Sequence, residues 1–161
     1  MKIIAASLSV MKPLKLPLLL AGTSMLLAFG AGSAKAQRTP VYNPIPMPSS
    51  NVVTDSLSAS DIPTGNGGFA RDYLITLEAD DQIVMDLKSD QFDTIITLIS
   101  PDGTTLGQND DGPDGTTNSL LFTRVNQGGN YILRVSPYGG QGLGTFTLEV
   151  SRLRPVGEEC P

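Results

Sequence analysis

YLITLEADDQIVMDLK, the stretch from Tyr73 to Lys88, decides the fold. Tyr73, Ile75 and Leu77 alternate with Leu74, Thr76 and Glu78, and after Asp80-Asp81 the alternation resumes with Ile83, Met85 and Leu87 against Val84, Asp86 and Lys88. Successive side chains of a strand point to opposite faces, so each run presents an apolar face to a core and a more polar face to water. The same period recurs in Tyr131, Leu133 and Val135, and in Phe146, Leu148 and Val150. Between the runs stand Thr64-Gly65-Asn66-Gly67-Gly68, Pro101-Asp102-Gly103, Asp111 to Gly115, Gln127-Gly128-Gly129 and Gly139 to Gly144, rich in the residues that tolerate the positive φ of tight turns. No segment repeats apolar residues at helical spacing. The pattern predicts an all-β, antiparallel two-sheet β-sandwich, jelly-roll-like, of about 7–8 short strands over residues 52–153.

On either side the pattern stops. Residues 37–51 (QRTPVYNPIPMPSSN) carry Pro40, Pro44, Pro46 and Pro48, which lack the N–H a ladder needs, and are expected to form a Pro-rich linker. Residues 154–161 are expected to form a flexible tail. Residues 1–36 carry the marks of a signal peptide: Lys12 and Lys15, then the apolar run Leu16 to Gly30, then Ala34-Lys35-Ala36. The rival reading is an uncleaved anchor, but the run is shorter than a bilayer span and interrupted by Gly22-Thr23-Ser24. Cleavage before Gln37 is expected, giving a secreted protein, extracellular or periplasmic, with no membrane contact afterwards. It removes Lys2, Lys12, Lys15 and Lys35 and keeps all 16 acidic residues, for a mature charge of about −9. Such a balance opposes nucleic-acid binding, which draws on Lys and Arg, and suits solvent and divalent cations. The single cysteine, Cys160, lies near the chain end and cannot form an internal disulfide; it is read as an incidental tail residue.

An enzyme is not expected. The chain has no histidine, which removes Ser-His and Cys-His nucleophile activation and His-ligated zinc. Adjacent carboxylates such as Asp110-Asp111 in a Gly-rich loop are more often turn formers than an acid/base pair. The densest chemistry is the acidic loop, where Asn109, Asp110, Asp111 and Asp114 crowd together, with Asp93 opening the strand before. Calcium takes six to eight oxygens from such groups, which makes these five residues candidate calcium ligands. An EF-hand does not fit, since counting from Asp110 puts Gly112 and Leu121 where carboxylates belong. The rival reading is that Asn109 and the aspartates fold the loop as Asx turns. The carboxylates are expected to lie near one another under either reading. Tyr73, Tyr131 and Phe146 are expected in the core; Tyr138, in SPYGGQGLG, is either an exposed ligand contact or a cover for the sandwich edge.

DTIITLISPDGTTLGQNDDGPDGTTNSLL (Asp93 to Leu121) and GNYILRVSPYGGQGLGTFTLEV (Gly129 to Val150), with Asp55 to Asp61 (DSLSASD) as an opening strand, resemble the bacterial pre-peptidase C-terminal domain. The family pattern is an Asp-Thr strand start, a Pro-Asp-Gly turn, an Asn-Asp-Asp loop, a Gly-x-Tyr strand and a final Gly-x-Phe-x-Leu strand. The resemblance implies a non-catalytic β-sandwich appended to secreted peptidases, assisting their export, folding or attachment to substrate; the similar domain of clostridial collagenases binds collagen and calcium. No peptidase segment accompanies it in this sequence. A free-standing accessory or binding module is therefore expected, adhering to extracellular protein or polysaccharide or assisting a secreted peptidase. The alternative is a structural envelope or extracellular-matrix protein without a specific ligand. The oligomeric state is left open.

Overall fold

The computed structural model describes residues 42–153, so the expected signal peptide, the expected tail and Cys160 lie outside the described residues. Ten strands follow in order: β1 (Ile45–Pro46), β2 (Val52–Leu57), β3 (Ile62–Pro63), β4 (Phe69–Leu77), β5 (Gln82–Lys88), β6 (Thr94–Ile99), β7 (Thr105–Asn109), β8 (Ser119–Arg124), β9 (Gly129–Pro137) and β10 (Gly144–Leu153). A six-stranded sheet runs β1-β4-β9-β6-β7, with β3 also on β4, and a four-stranded sheet runs β2-β10-β5-β8. The expected two-sheet β-sandwich is therefore the fold. Every pairing is antiparallel except β1 with β4. The only helical feature among the described residues is the single turn Tyr138–Gly140.

The alternation dictates the burial. Ile83, Met85, Leu87, Ile96, Leu98, Leu133, Val135, Phe146, Leu148 and Val150 all lie in the core, each contributing roughly 1.5–3 kcal/mol by leaving water. Phe146 is the hub, with Tyr73 and Phe92 meeting it edge-on at centroid distances of 6.3 and 6.5 Å. Tyr73 and Tyr131 are buried as expected, and their hydroxyls leave the core to reach Asp55 Oδ2 at 2.8 Å and the Gln127 carbonyl at 2.7 Å. A buried polar contact also crosses between the sheets. Thr94 Oγ1 and Ser119 Oγ, both wholly buried, lie 2.6 Å apart, and Ser119 Oγ donates to the Thr94 carbonyl.

The alternating runs of Tyr73–Leu77 and Ile83–Leu87 are consecutive but not paired. The Asp80-Asp81 turn, with Asp80 at φ 70°, carries the chain from one sheet to the other, where Asp80 N–H donates to the Val125 carbonyl and Val125 N–H to that of Asp81.

The domain also begins earlier than the expected boundary. Within the span read as linker, Ile45–Pro46 pairs in parallel with Tyr73–Leu74, and Met47 donates its N–H to the Leu74 carbonyl at 2.8 Å and packs against the core. A proline is tolerated there because the strand has a partner on one side only. The chain then turns at Pro48 to Asn51 and enters the four-stranded sheet as β2, so these few residues join both sheets.

Candidate functional site

The five acidic-loop candidates occupy one end of the sandwich, yet the loop is built largely from its own hydrogen bonds. Asn109, closing β7, donates Nδ2 to the Asp111 carbonyl at 2.6 Å and to the Leu120 carbonyl at 2.8 Å, while Leu120 N–H returns to the Asp111 carbonyl. Asp114 accepts from Thr116 Oγ1 at 2.8 Å and Thr116 N–H at 3.2 Å, an Asx turn, and those two donors hold its carboxyl below the usual carboxylate range. Asp102 does the same with Thr104 in the Pro-Asp-Gly turn. Asp93 borders the end of the loop: its carbonyl accepts the Tyr138 N–H, and the next residue, Thr94, donates to the Thr117 carbonyl. Among the described residues no three Asp, Glu, His or Cys side chains gather as a metal-holding group. Asp93, Asp110, Asp111 and Asp114 thus belong to no such group among the described residues. Crowding along the chain differs from convergence in space, because the loop leaves one sheet at β7 and enters the other at β8.

A different surface carries more structure. On β6, Ile96 and Leu98 point inward, so Ile95, Thr97 and Ile99 face out from the six-stranded sheet. The register aligns a polar row across that face: Asp72 opposite Arg134, Arg134 opposite Thr97, and Thr97 opposite Gln108. Hydrogen bonds follow the row. Arg134 Nε and Nη2 grip Asp72 at 2.8 and 2.7 Å, Tyr42 donates to Asp72 Oδ2 at 2.6 Å, and Gln108 Nε2 donates to Thr97 Oγ1 at 2.8 Å. The Asp72 side chain is 0% exposed and that of Arg134 is 34% exposed. Its hydrogen bonds to Asp72 hold Arg134 above its ordinary value, while burial and the facing Asp72 carboxylate push Tyr42 up to about 12.

The row forms the floor of a groove of about 450 Å³, with Ile95 and Ser136 on one side of it and Ile99 and Thr105 on the other. Its wall comes from two glycine-rich loops, Thr64 to Gly68 and Tyr138 to Gly142. A Cβ on Gly68 would stand 2.3 Å from the Gly140 carbonyl oxygen, and one on Gly140 would stand 2.5 Å from that of Gly67. Only glycine lets the two backbones meet there. Tyr138, between the lining residues Pro137 and Gly139, is 54% exposed and so does not cover the edge. Sequence reasoning missed this surface, although it carried a signal: TIITLI (Thr94–Ile99) is apolar at both phases of the strand, as are Leu74 and Ile132 beside the Tyr73 and Tyr131 phase. Strands apolar on both phases are those whose outer face is also partly covered.

A small antiparallel β-sandwich with a walled groove on one outer face is the class this fold and surface define. Within it, residues 70–137 match the family model of the bacterial pre-peptidase C-terminal domain, a span from the start of β4 to the end of β9. The strands β2 and β10, which complete the four-stranded sheet, lie outside the match. Among solved structures, the pre-peptidase C-terminal domain of a collagenase from Bacillus anthracis superposes with a TM-score of 0.50 at 13% identity, covering 68% of this chain and 93% of that one. PliG from Aeromonas hydrophila, a periplasmic inhibitor of g-type lysozyme, superposes with a TM-score of 0.51 at 14% identity, covering 69% and 96%. At these identities the likeness is one of fold. No curated protein sequence matches the chain.

Proposed function

We propose that this chain is an exported, non-catalytic binding module that holds an extracellular polymer, protein or polysaccharide, on the outer face of its six-stranded sheet. The observation that carries this reading is the groove itself. Ile95 and Ile99 are half-buried on a face over which the described residues lay no second layer, and they flank a polar row locked by the buried Asp72 carboxylate. A partly apolar concavity with a few fixed polar groups is the usual form of a ligand site. The non-catalytic reading is supported by the lack of any histidine in the chain and by the engagement of Asn109 and Asp114 in the loop's own hydrogen bonds. An extracytoplasmic location is supported by the signal-like first 36 residues, and it agrees with the collagenase and periplasmic inhibitor that share the fold.

The test is retention of the purified exported chain on insoluble polymers, set against Ser136→Arg, which fills the groove from its floor. Retention of the native chain above an inert protein, lost in Ser136→Arg at unchanged melting temperature, supports the reading. Retention on no polymer, or equal retention of both forms, overturns it.

A further inference from the structure

Resting on that proposal, we infer that the groove takes an uncharged polysaccharide. Charge makes the first selection. Each described cation outside the groove, Arg71, Lys88, Arg124 and Arg152, already lies against a carboxylate, whereas Asp90, Asp93, Asp110, Asp111 and Asp114 form no ion pair among the described residues. The chain therefore presents a net negative field, which repels a polyanion. The groove lining contains no carboxylate, and its one cation, Arg134, is balanced by Asp72 beneath it. A cationic ligand would lose its hydration there and gain no counter-charge. The site suits a ligand without net charge.

Hydrogen-bonding geometry makes the second selection. A peptide recognised by strand addition uses the free N–H and C=O groups of a sheet edge. This groove lies on a sheet face, over β9, β6 and β7, where the backbone groups of β9 and β6 are consumed in ladders on both sides and those of β7 on the side toward β6. Proline-rich peptides use grooves lined with aromatic rings, and this lining has none. The face instead offers side chains alone: hydroxyls from Thr105 and Ser136 and the Gln108 amide, with Ile95 and Ile99 between them, while the buried Thr97 hydroxyl accepts from Gln108 and fixes that amide. A polymer of hydroxylated rings matches that set, since each ring edge both donates and accepts and each ring face is largely C–H. The exposed Tyr138 at the rim supplies a flat surface for one such ring. Because the two walling loops meet backbone to backbone, the groove is shaped before the ligand arrives, which limits the ordering cost of binding.

The experiment is affinity electrophoresis of the full exported chain through gels containing dextran, laminarin or hydroxyethylcellulose, alongside heparin, alginate and gelatin, with Ser136→Arg and Tyr138→Ala as variants and melting temperature as the folding control. The expected result is retardation by at least one uncharged polysaccharide, weakened at least tenfold by Ser136→Arg, with no retardation by heparin or alginate. Retardation by gelatin alone, sensitive to Ser136→Arg, overturns this inference and leaves the binding-module reading standing. Groove-sensitive retardation by a polyanion also overturns it. If no probe gives retardation that Ser136→Arg alters, both readings fall.

Discussion

Replacing Arg134 by methionine should destabilise the domain more than replacing Asp72 by asparagine, although the two share one ion pair. The asymmetry comes from burial. Arg134→Met leaves a carboxylate whose side chain is wholly buried, holding only the hydrogen bond from Tyr42. Stranding a buried charge costs about 3–5 kcal/mol, and the surviving Tyr42 bond places this case near 3 kcal/mol. Asp72→Asn instead strands a guanidinium with a third of its side chain in solvent, which turns to water; the loss is that of charge-assisted hydrogen bonds, about 1–2 kcal/mol. With about 110 residues folding as a unit, 1 kcal/mol corresponds to about 4 °C. Arg134→Met should therefore lower the melting temperature by about 12 °C and Asp72→Asn by about 4–8 °C. The double variant Asp72→Leu/Arg134→Met removes both charges and should recover most of the loss, a coupling of about 2 kcal/mol. Circular dichroism melts at pH 7 read all three. An Asp72→Asn loss equal to or larger than that of Arg134→Met would refute the argument from burial, and strict additivity would refute the coupling.

Gly140→Ala should cost about 2 kcal/mol or more in a guanidinium titration, because its Cβ meets the Gly67 carbonyl oxygen at 2.5 Å and its φ is 73°; the same change at Gly139, where nothing lies within 4 Å, should cost less. Leu148→Ala, at 0% exposure in the central strand of its sheet, should cost about 2–5 kcal/mol by the same titration. Calcium at 1 mM should shift the melting temperature by less than about 1 °C; a site saturated at a hundredfold its Kd would add about 2.7 kcal/mol, and a rise of that order abolished by Asp111→Asn would reinstate the loop as a metal site. The raised Tyr42 value stabilises the docked arm fully below the unfolded value near 10, and that contribution fades as pH rises through about 12. An alkaline titration of tyrosinate absorbance should thus show two late-titrating tyrosines, Tyr42 and the more strongly raised, buried Tyr73, and Tyr42→Phe should remove the earlier of the two.

The legible part of the fold was the part written in short-range alternation. β4, β5, β9 and β10 show their inward faces at every second residue, and those residues are buried. The excess of ten strands over the seven or eight expected consists of β1 and β3, two residues each, too short to show a period. Phe92 and Val125 are core residues carried by turns, where alternation gives no warning. The Asp72–Arg134 contact joins residues 62 apart, and no local pattern announces which arginine meets which aspartate. The acidic loop is a conspicuous local motif whose hydrogen-bond partners its own sequence does not announce. Asn109 is held by the Asp111 and Leu120 carbonyls, and the Asp93 carbonyl accepts the Tyr138 N–H.

The four-stranded sheet orders its strands β2-β10-β5-β8, so its second position is filled by the last strand of the described chain, and Thr54 meets Thr147 across 93 residues. A ribosome delivers β2 early and its only neighbour in the sheet late. Until residues near 144 have emerged, β2 has no ladder to join and β5 lacks one of its two flanks. Closure of such distant pairs before reward makes folding slow, on the order of milliseconds to seconds. The nascent polypeptide stays an open thread through most of its synthesis, and a fragment ending before β10 should remain unfolded rather than form a smaller sandwich.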